Sequence, residues 1–145
     1  MVDEAHRALL VRLELPAWRG WVLPGGGIED GEDELVAIRR ELAEEIGLVD
    51  ADLVGPIWER TVLFRDPVTA DGQTDRIWFV RCASFDPTPV LPWDVLRAEG
   101  MTDLRWWTRE EIAVSGETFA PRRLATLLDD LIEHGPPTTI IDVGE

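Results

Sequence analysis

A glycine-rich turn, Pro24-Gly25-Gly26-Gly27, leads into a helix-patterned stretch whose last turns are crowded with carboxylates, Arg40-Glu41-Leu42-Ala43-Glu44-Glu45-Ile46-Gly47. At roughly 100° per residue, Leu35, Ile38, Leu42 and Ile46 form an apolar stripe, which predicts one amphipathic helix over about 32–46. Glu41 is followed at three and four residues by Glu44 and Glu45, so the three carboxylates share one face. Like charges so spaced cost an isolated helix about 0.2–0.5 kcal/mol per pair. Carboxylate oxygens are also the ligands of hard cations such as Mg²⁺ or Mn²⁺, which would turn that repulsion into coordination. Gly47 suits a left-handed helix cap, and the glycine turn lets backbone approach a ligand closely. A merely solvated acidic helix would show the same spacing, and spacing alone leaves the two readings balanced.

The residue identities tip that balance. Gly26, Glu32, Arg40, Glu41, Leu42, Glu44, Glu45, Gly47 and Leu48 fit the pattern G-x5-E-x7-R-E-U-x-E-E-x-G-U, with U aliphatic, at every specified position. This segment resembles the Nudix box, and the chain is identified as a member of the Nudix hydrolase family, of the MutT-like kind. The resemblance implies an α/β fold, an α/β/α sandwich in which the box packs as loop–helix–loop on a mixed sheet. It also implies a pyrophosphohydrolase using Mg²⁺ or Mn²⁺ on a small-molecule nucleoside diphosphate derivative. Carried over by position, Glu41, Glu44 and Glu45 are metal-binding and water-activating carboxylates, and Gly25 offers a backbone carbonyl to the metal. Glu44 is the first choice as general base, with Glu41 close behind. Glu32 and Arg40 resemble the ion pair that fixes loop and helix. Glu99, in a loop before Leu104–Trp107, resembles an extra metal ligand, with a solvated loop glutamate an equal reading; Asp94 and Asp103 are weaker alternatives.

Among the seven tryptophans, Trp58 and Trp93 are the better candidates for stacking on a nucleobase, whereas Trp78 and either Trp106 or Trp107 read as packing residues. Arg60, Arg65 and Arg76 are candidates for a second phosphate or a ribose, each with a surface salt bridge as the plainer reading. His6 and His134 have no metal-ligand spacing and read as surface residues. A sensor that keeps the fold without efficient turnover is the alternative function, disfavoured by the complete set of box carboxylates. A prenyl-diphosphate isomerase on the same fold is disfavoured by the uninterrupted box.

With 145 residues, 45% of them hydrophobic, the chain is expected to form a single domain over 1–145 with a useful core. A net charge of −15 works against nonspecific nucleic-acid binding and against anionic membrane surfaces. No apolar run approaches the ~20 residues of a membrane span, the amino terminus lacks a signal-peptide pattern, and a cytoplasmic location is expected. Cys82, the only cysteine, excludes an internal disulfide and is expected to be buried. Oligomeric state is not readable from the sequence; a homodimer is suggested by fold-level analogy with relatives alone.

Hydrophobic patterning predicts strands over Arg7–Glu14, Trp21–Leu23, Leu53–Arg65, Arg76–Ser84 and Leu104–Trp107. It predicts loops over Pro16–Gly20 and Phe85–Gly100, and a turn at Asp66-Pro67 to Asp71-Gly72. Thr108 should cap a short helix, and a last helix should run over 121–133. Family members usually have a complete strand before Ala8–Glu14; here Met1-Val2-Asp3-Glu4 supplies only its last residues, so either the first strand is shortened or the sequence starts downstream of the natural beginning. The tail Thr138–Glu145 is either mobile or an edge strand.

Overall fold

Four consecutive apolar residues, Ala8 to Val11, are all buried because both faces of their strand are covered by helices. In the computed structural model, which describes residues 1–63 and 72–144, they belong to β2 (Ala8–Leu15), the centre of a mixed sheet. Ala8 and Leu10 point to one core with Ile112, Leu124, Leu127, Leu128 and Leu131. Leu9 and Val11 point to the other, with Leu42, Ile46 and Leu96. The same alternation sends Trp107 to the first core and Trp106 to the second. A strand's two-residue period thus builds the expected α/β/α sandwich.

The other strands are β1 (Val2–Asp3), β3 (Trp18–Val22), β4 (Leu53–Leu63), β5 (Gly72–Cys82), β6 (Met101–Trp107), β7 (Phe119–Ala120) and β8 (Ile141–Asp142). The helices are α1 (Glu34–Ile46), α2 (Trp93–Ala98), α3 (Arg109–Val114) and α4 (Leu124–His134). The sheet runs β7-β3-β2-β1-β5-β4-β8, and β6 pairs antiparallel along β2. β1 has two residues, and its parallel pairing with Arg81 and Cys82 joins β5 to the rest. Asp3 is buried there and accepts hydrogen bonds from the Ala5 and Arg7 amides, the Arg7 guanidinium and Ser84. Burial pushes its carboxyl up, but those donors outweigh it and leave Asp3 below its ordinary range.

Several boundaries differ from the sequence expectation. The box helix begins at Glu34 because the Asp33 side chain accepts the Leu35 amide (2.9 Å) and caps it, leaving Glu32 in the loop. Its apolar stripe is shifted: Ala37 is buried, whereas Leu35, expected on the stripe, is 41% exposed. The expected loop at 16–20 shrinks to Pro16-Ala17, since Leu15 pairs with Trp18. The 85–100 segment is not wholly irregular, for it contains α2. Before α2, the amides of Thr88, Val90 and Leu91 donate to the Ile46 and Glu44 carbonyls (3.1–3.2 Å). A loop strapped across the end of α1 thereby satisfies carbonyls that the helix cannot. The last helix starts at Leu124, and the tail adds β8 beside β4. Cys82 is half-buried rather than buried. Arg65 and the expected turn at 66–71 lie outside the described residues.

Candidate active site

The box loop and the second half of α1 face one another, and Arg40 links them. Its Nε and Nη2 donate to the two oxygens of Glu32 (2.9 Å each), and Nη2 also reaches the Gly27 carbonyl (3.0 Å). Its Nη1 donates to Glu41 (2.7 Å) and to Glu44 (3.2 Å). The expected Arg40–Glu32 support is therefore present, and the same guanidinium also balances two of the three acidic side chains on the helix face. Hydrogen bonds from Arg40 and the Glu29 backbone hold the Glu32 carboxyl down at about 2.

Glu45 has a different environment. Its Oε2 accepts the Gly25 amide (2.8 Å). Burial raises its carboxyl to about 7; the Gly25 bond opposes that, and Glu41, Glu99 and Glu44 add repulsion. Burial likewise raises Glu41 against the pull of Arg40, with Glu44 and Glu99 again adding repulsion. Glu99, the exposed C-cap residue of α2, thus lies near enough to act on both. Asp94 is exposed in the first turn of α2, and Asp103 turns back to accept the Leu104 amide (2.8 Å). Glu44 is the more open box carboxylate, its side chain 31% exposed against 14% for Glu41.

Among the described residues, no three acidic, histidine or cysteine side chains converge as a ready-made metal cage. Arg40 engages Glu41 and Glu44, while the Gly25 amide engages Glu45. The donor set nonetheless fits a hard divalent cation: three carboxylates on one helix face, two of them raised by burial and mutual repulsion that a cation would relieve. Gly26 keeps this set compact. A Cβ there would lie 2.5 Å from Glu41 Cδ and 2.7 Å from its Oε2, so only glycine lets the loop approach so closely.

Beside the carboxylates, a cavity of about 780 Å³ runs from Gly25–Gly27 to the β4–β5 pair. Arg60 lines it, as a substrate-binding residue would, but is paired with Asp75 (3.0 and 2.5 Å). Trp58 requires a correction: it is 4% exposed, packed in the core and paired with Ile77, so it has no face to offer a base. A register shift between Val54 and Trp58 accompanies that placement. Gly55-Pro56 is the sequence signal for it, since proline cannot donate to a ladder. Trp93 is not brought to the cavity either; it packs at the margin of the second core beneath Arg97. The cavity tryptophan is Trp78, read from sequence as packing, and with it Glu34 of the first helical turn. Arg76 also lines the cavity and reaches Glu34 (3.3 Å) and Glu59 (3.7 Å). His6 and His134 are exposed, as expected.

A helix bearing three carboxylates, clasped by a glycine loop on one face of an α/β/α sandwich, defines the class of protein to which comparison should lead. A model of the NUDIX domain matches residues 1–129, and the chain belongs to the Nudix family. "Nudix hydrolase 25" of Arabidopsis thaliana is 41% identical over 69 residues, 46% of this chain and 37% of that protein. "Nucleoside triphosphatase NudI" of Enterobacter sp. (strain 638) is 37% identical over 97 residues, 63% of this chain and 64% of that protein. The matched region thus spans less than two thirds of either relative. A Nudix-family hydrolase of known structure from Clostridium perfringens superposes with a TM-score of 0.62 at 23% identity, covering 90% of this chain and 92% of that one, a likeness of fold.

Proposed function

We propose that this chain is a divalent-metal-dependent pyrophosphohydrolase that cleaves a nucleoside di- or triphosphate derivative into a mononucleotide and a phosphorylated product. One observation carries the reading: Glu41, Glu44 and Glu45 gather against a glycine loop, Gly25–Gly27, that also lines a substrate-sized cavity. The names of the matched relatives, hydrolases and a nucleoside triphosphatase, support it. Among the described residues no helix is long and apolar enough to cross a membrane, and the acidic chain suits soluble metabolites in the cytoplasm.

The division of labour follows from geometry and exposure. Glu41 and Glu45 are the half-buried carboxylates suited to hold Mg²⁺ or Mn²⁺, with Glu99 and the Gly25 carbonyl as further oxygen donors. Once bound, such a cation supplies positive charge to phosphoryl oxygens and acidifies water. Glu44, the more open carboxylate, accepts the proton of the attacking water. Arg40 positions this face by tying it to Glu32 and to the Gly27 carbonyl. It also keeps Glu41 and Glu44 from repelling one another before the cation arrives.

The test is incubation with nucleoside triphosphates, ADP-ribose, nucleotide sugars and dinucleoside polyphosphates plus Mg²⁺ or Mn²⁺, reading released mononucleotide. Glu44→Gln should lower kcat by about 100-fold or more with folding intact, as expected for loss of a general base. A near-normal rate would remove Glu44 from that role. Tight binding of one compound without turnover would replace the enzyme with a sensor.

A further inference from the structure

We propose that Trp78, held by Glu34, is the platform on which the substrate's nucleobase stacks, and that the cavity admits this base rather than a further phosphate. The inference rests on the hydrolase reading only in placing the reacting phosphates beside Glu41, Glu44 and Glu45.

Trp78 is half-buried on β5 and lines the cavity. Its indole Nε1 donates across elements to Glu34 Oε1 (3.3 Å), in the first turn of the helix that carries the box carboxylates. A ring tethered at its nitrogen has its plane set before a ligand arrives, so stacking forfeits little side-chain entropy. Leu23, Ile38, Ile77 and Pro121 add apolar lining elsewhere in the same cavity. The cavity's charges point the same way. Both lining arginines are engaged, Arg60 by Asp75 and Arg76 by Glu34 and Glu59. Three carboxylates therefore face two guanidiniums, and no uncommitted cation among the described lining residues awaits a second anion. What such a wall accepts is an uncharged planar group with an apolar face and N–H donors at its edge. A nucleobase has that chemistry.

Glu34 acts through the indole and is a positioning residue. Gln at 34 keeps an acceptor for the indole N–H, whereas Ala leaves that donor unpartnered.

The experiment compares KM for ATP, GTP, CTP and UTP with KM for inorganic triphosphate, which carries no base. Binding of the corresponding nucleoside monophosphates is measured separately by calorimetry in EDTA. The wild type should favour at least one nucleotide over inorganic triphosphate. Trp78→Ala should raise that nucleotide's KM about tenfold or more and erase the preference, with a much smaller change in kcat. Glu34→Ala should reproduce part of the rise and Glu34→Gln restore it. Should Trp78→Ala not fold, the Glu34 pair decides alone. Unchanged KM ratios, or Glu34→Gln as impaired as Glu34→Ala, would overturn the proposal. If the wild type hydrolyses nothing, the hydrolase reading fails by itself. The calorimetry then decides: a monophosphate bound by wild type and lost in Trp78→Ala sustains the platform, and any other pattern overturns it.

Discussion

Arg40 distributes its guanidinium over Glu32, Glu41, Glu44 and the Gly27 carbonyl, so one side chain sets both the loop and the acidic face. A planar fork with five donors can do this; a lysine cannot. Arg40→Lys should therefore leave the fold standing and loosen the carboxylates, which nucleotide-dependent Mn²⁺ titration would register as weaker metal binding. Gly26 imposes the complementary constraint from the loop. An added methyl meets the carboxylate end of Glu41, the far end of a flexible chain, so the protein can fold by turning Glu41 aside. Gly26→Ala should cost stability within about 1 kcal/mol, the ordinary effect of a point change, yet lower turnover by about tenfold or more through Glu41. Equal activity in Gly26→Ala, measured beside its unfolding midpoint, would show that Glu41 need not stay where the loop holds it.

At the scale of elements, α1 was the most legible part of the chain. Its period, its Gly47 cap and the acidic spacing can all be read from residues 32–48, because each depends on neighbours within two turns. Gly47 does adopt the left-handed conformation (φ 75°), and its amide donates to the Ala43 carbonyl (3.0 Å). What sequence does not carry is the partner of that cap. A Cβ on Gly47 would run into the Thr88 carbonyl, which belongs to the strap over the helix end. Gly47→Ala is thus penalised twice, by backbone strain of about 1–2 kcal/mol and by displacement of the strap, and should lower the unfolding midpoint accordingly. A neutral result in urea denaturation would mean the strap moves freely. The cavity walls were less legible for a related reason. Trp58 and Trp78 stand in similar apolar strands, and only the register shift after Gly55-Pro56 and the pairing of Trp58 with Ile77 show which one packs. Pairing is a nonlocal fact, and a shift of one residue exchanges the two faces of a strand. For Arg60 a salt bridge was the plainer reading of the sequence and is what forms; only its partner, Asp75 across the hairpin, was not legible.

For the molecule as a whole, the acidic site is a liability that a cation should convert into stability. Net charge is −15, and Glu45 sits where burial lifts its carboxyl to about 7, well above its unfolded value. Between those two values the folded chain binds more protons than the unfolded one, so this group's contribution is complete at low pH and declines as pH rises through about 7. Glu41, also raised, acts in the same sense. Asp3, Glu32 and Glu111 are held low and so add no pH dependence between pH 5 and 8. The Met1 amine, drawn down to about 6 by burial, works against the trend above pH 6. The measurement is therefore differential: unfolding free energies of wild type and Glu45→Gln in EDTA at pH 5 and pH 8. Glu45→Gln should gain on wild type across that interval by on the order of 1–3 kcal/mol, since a tenfold change in proton affinity on folding corresponds to about 1.4 kcal/mol. Mg²⁺ at about 100 times its dissociation constant should then add about 2.7 kcal/mol to wild type at pH 8 and clearly less to Glu45→Gln. A difference between the two proteins that does not change with pH would show that Glu45 is already ionised at pH 5, and the account of a strained, cation-seeking site would have to be given up.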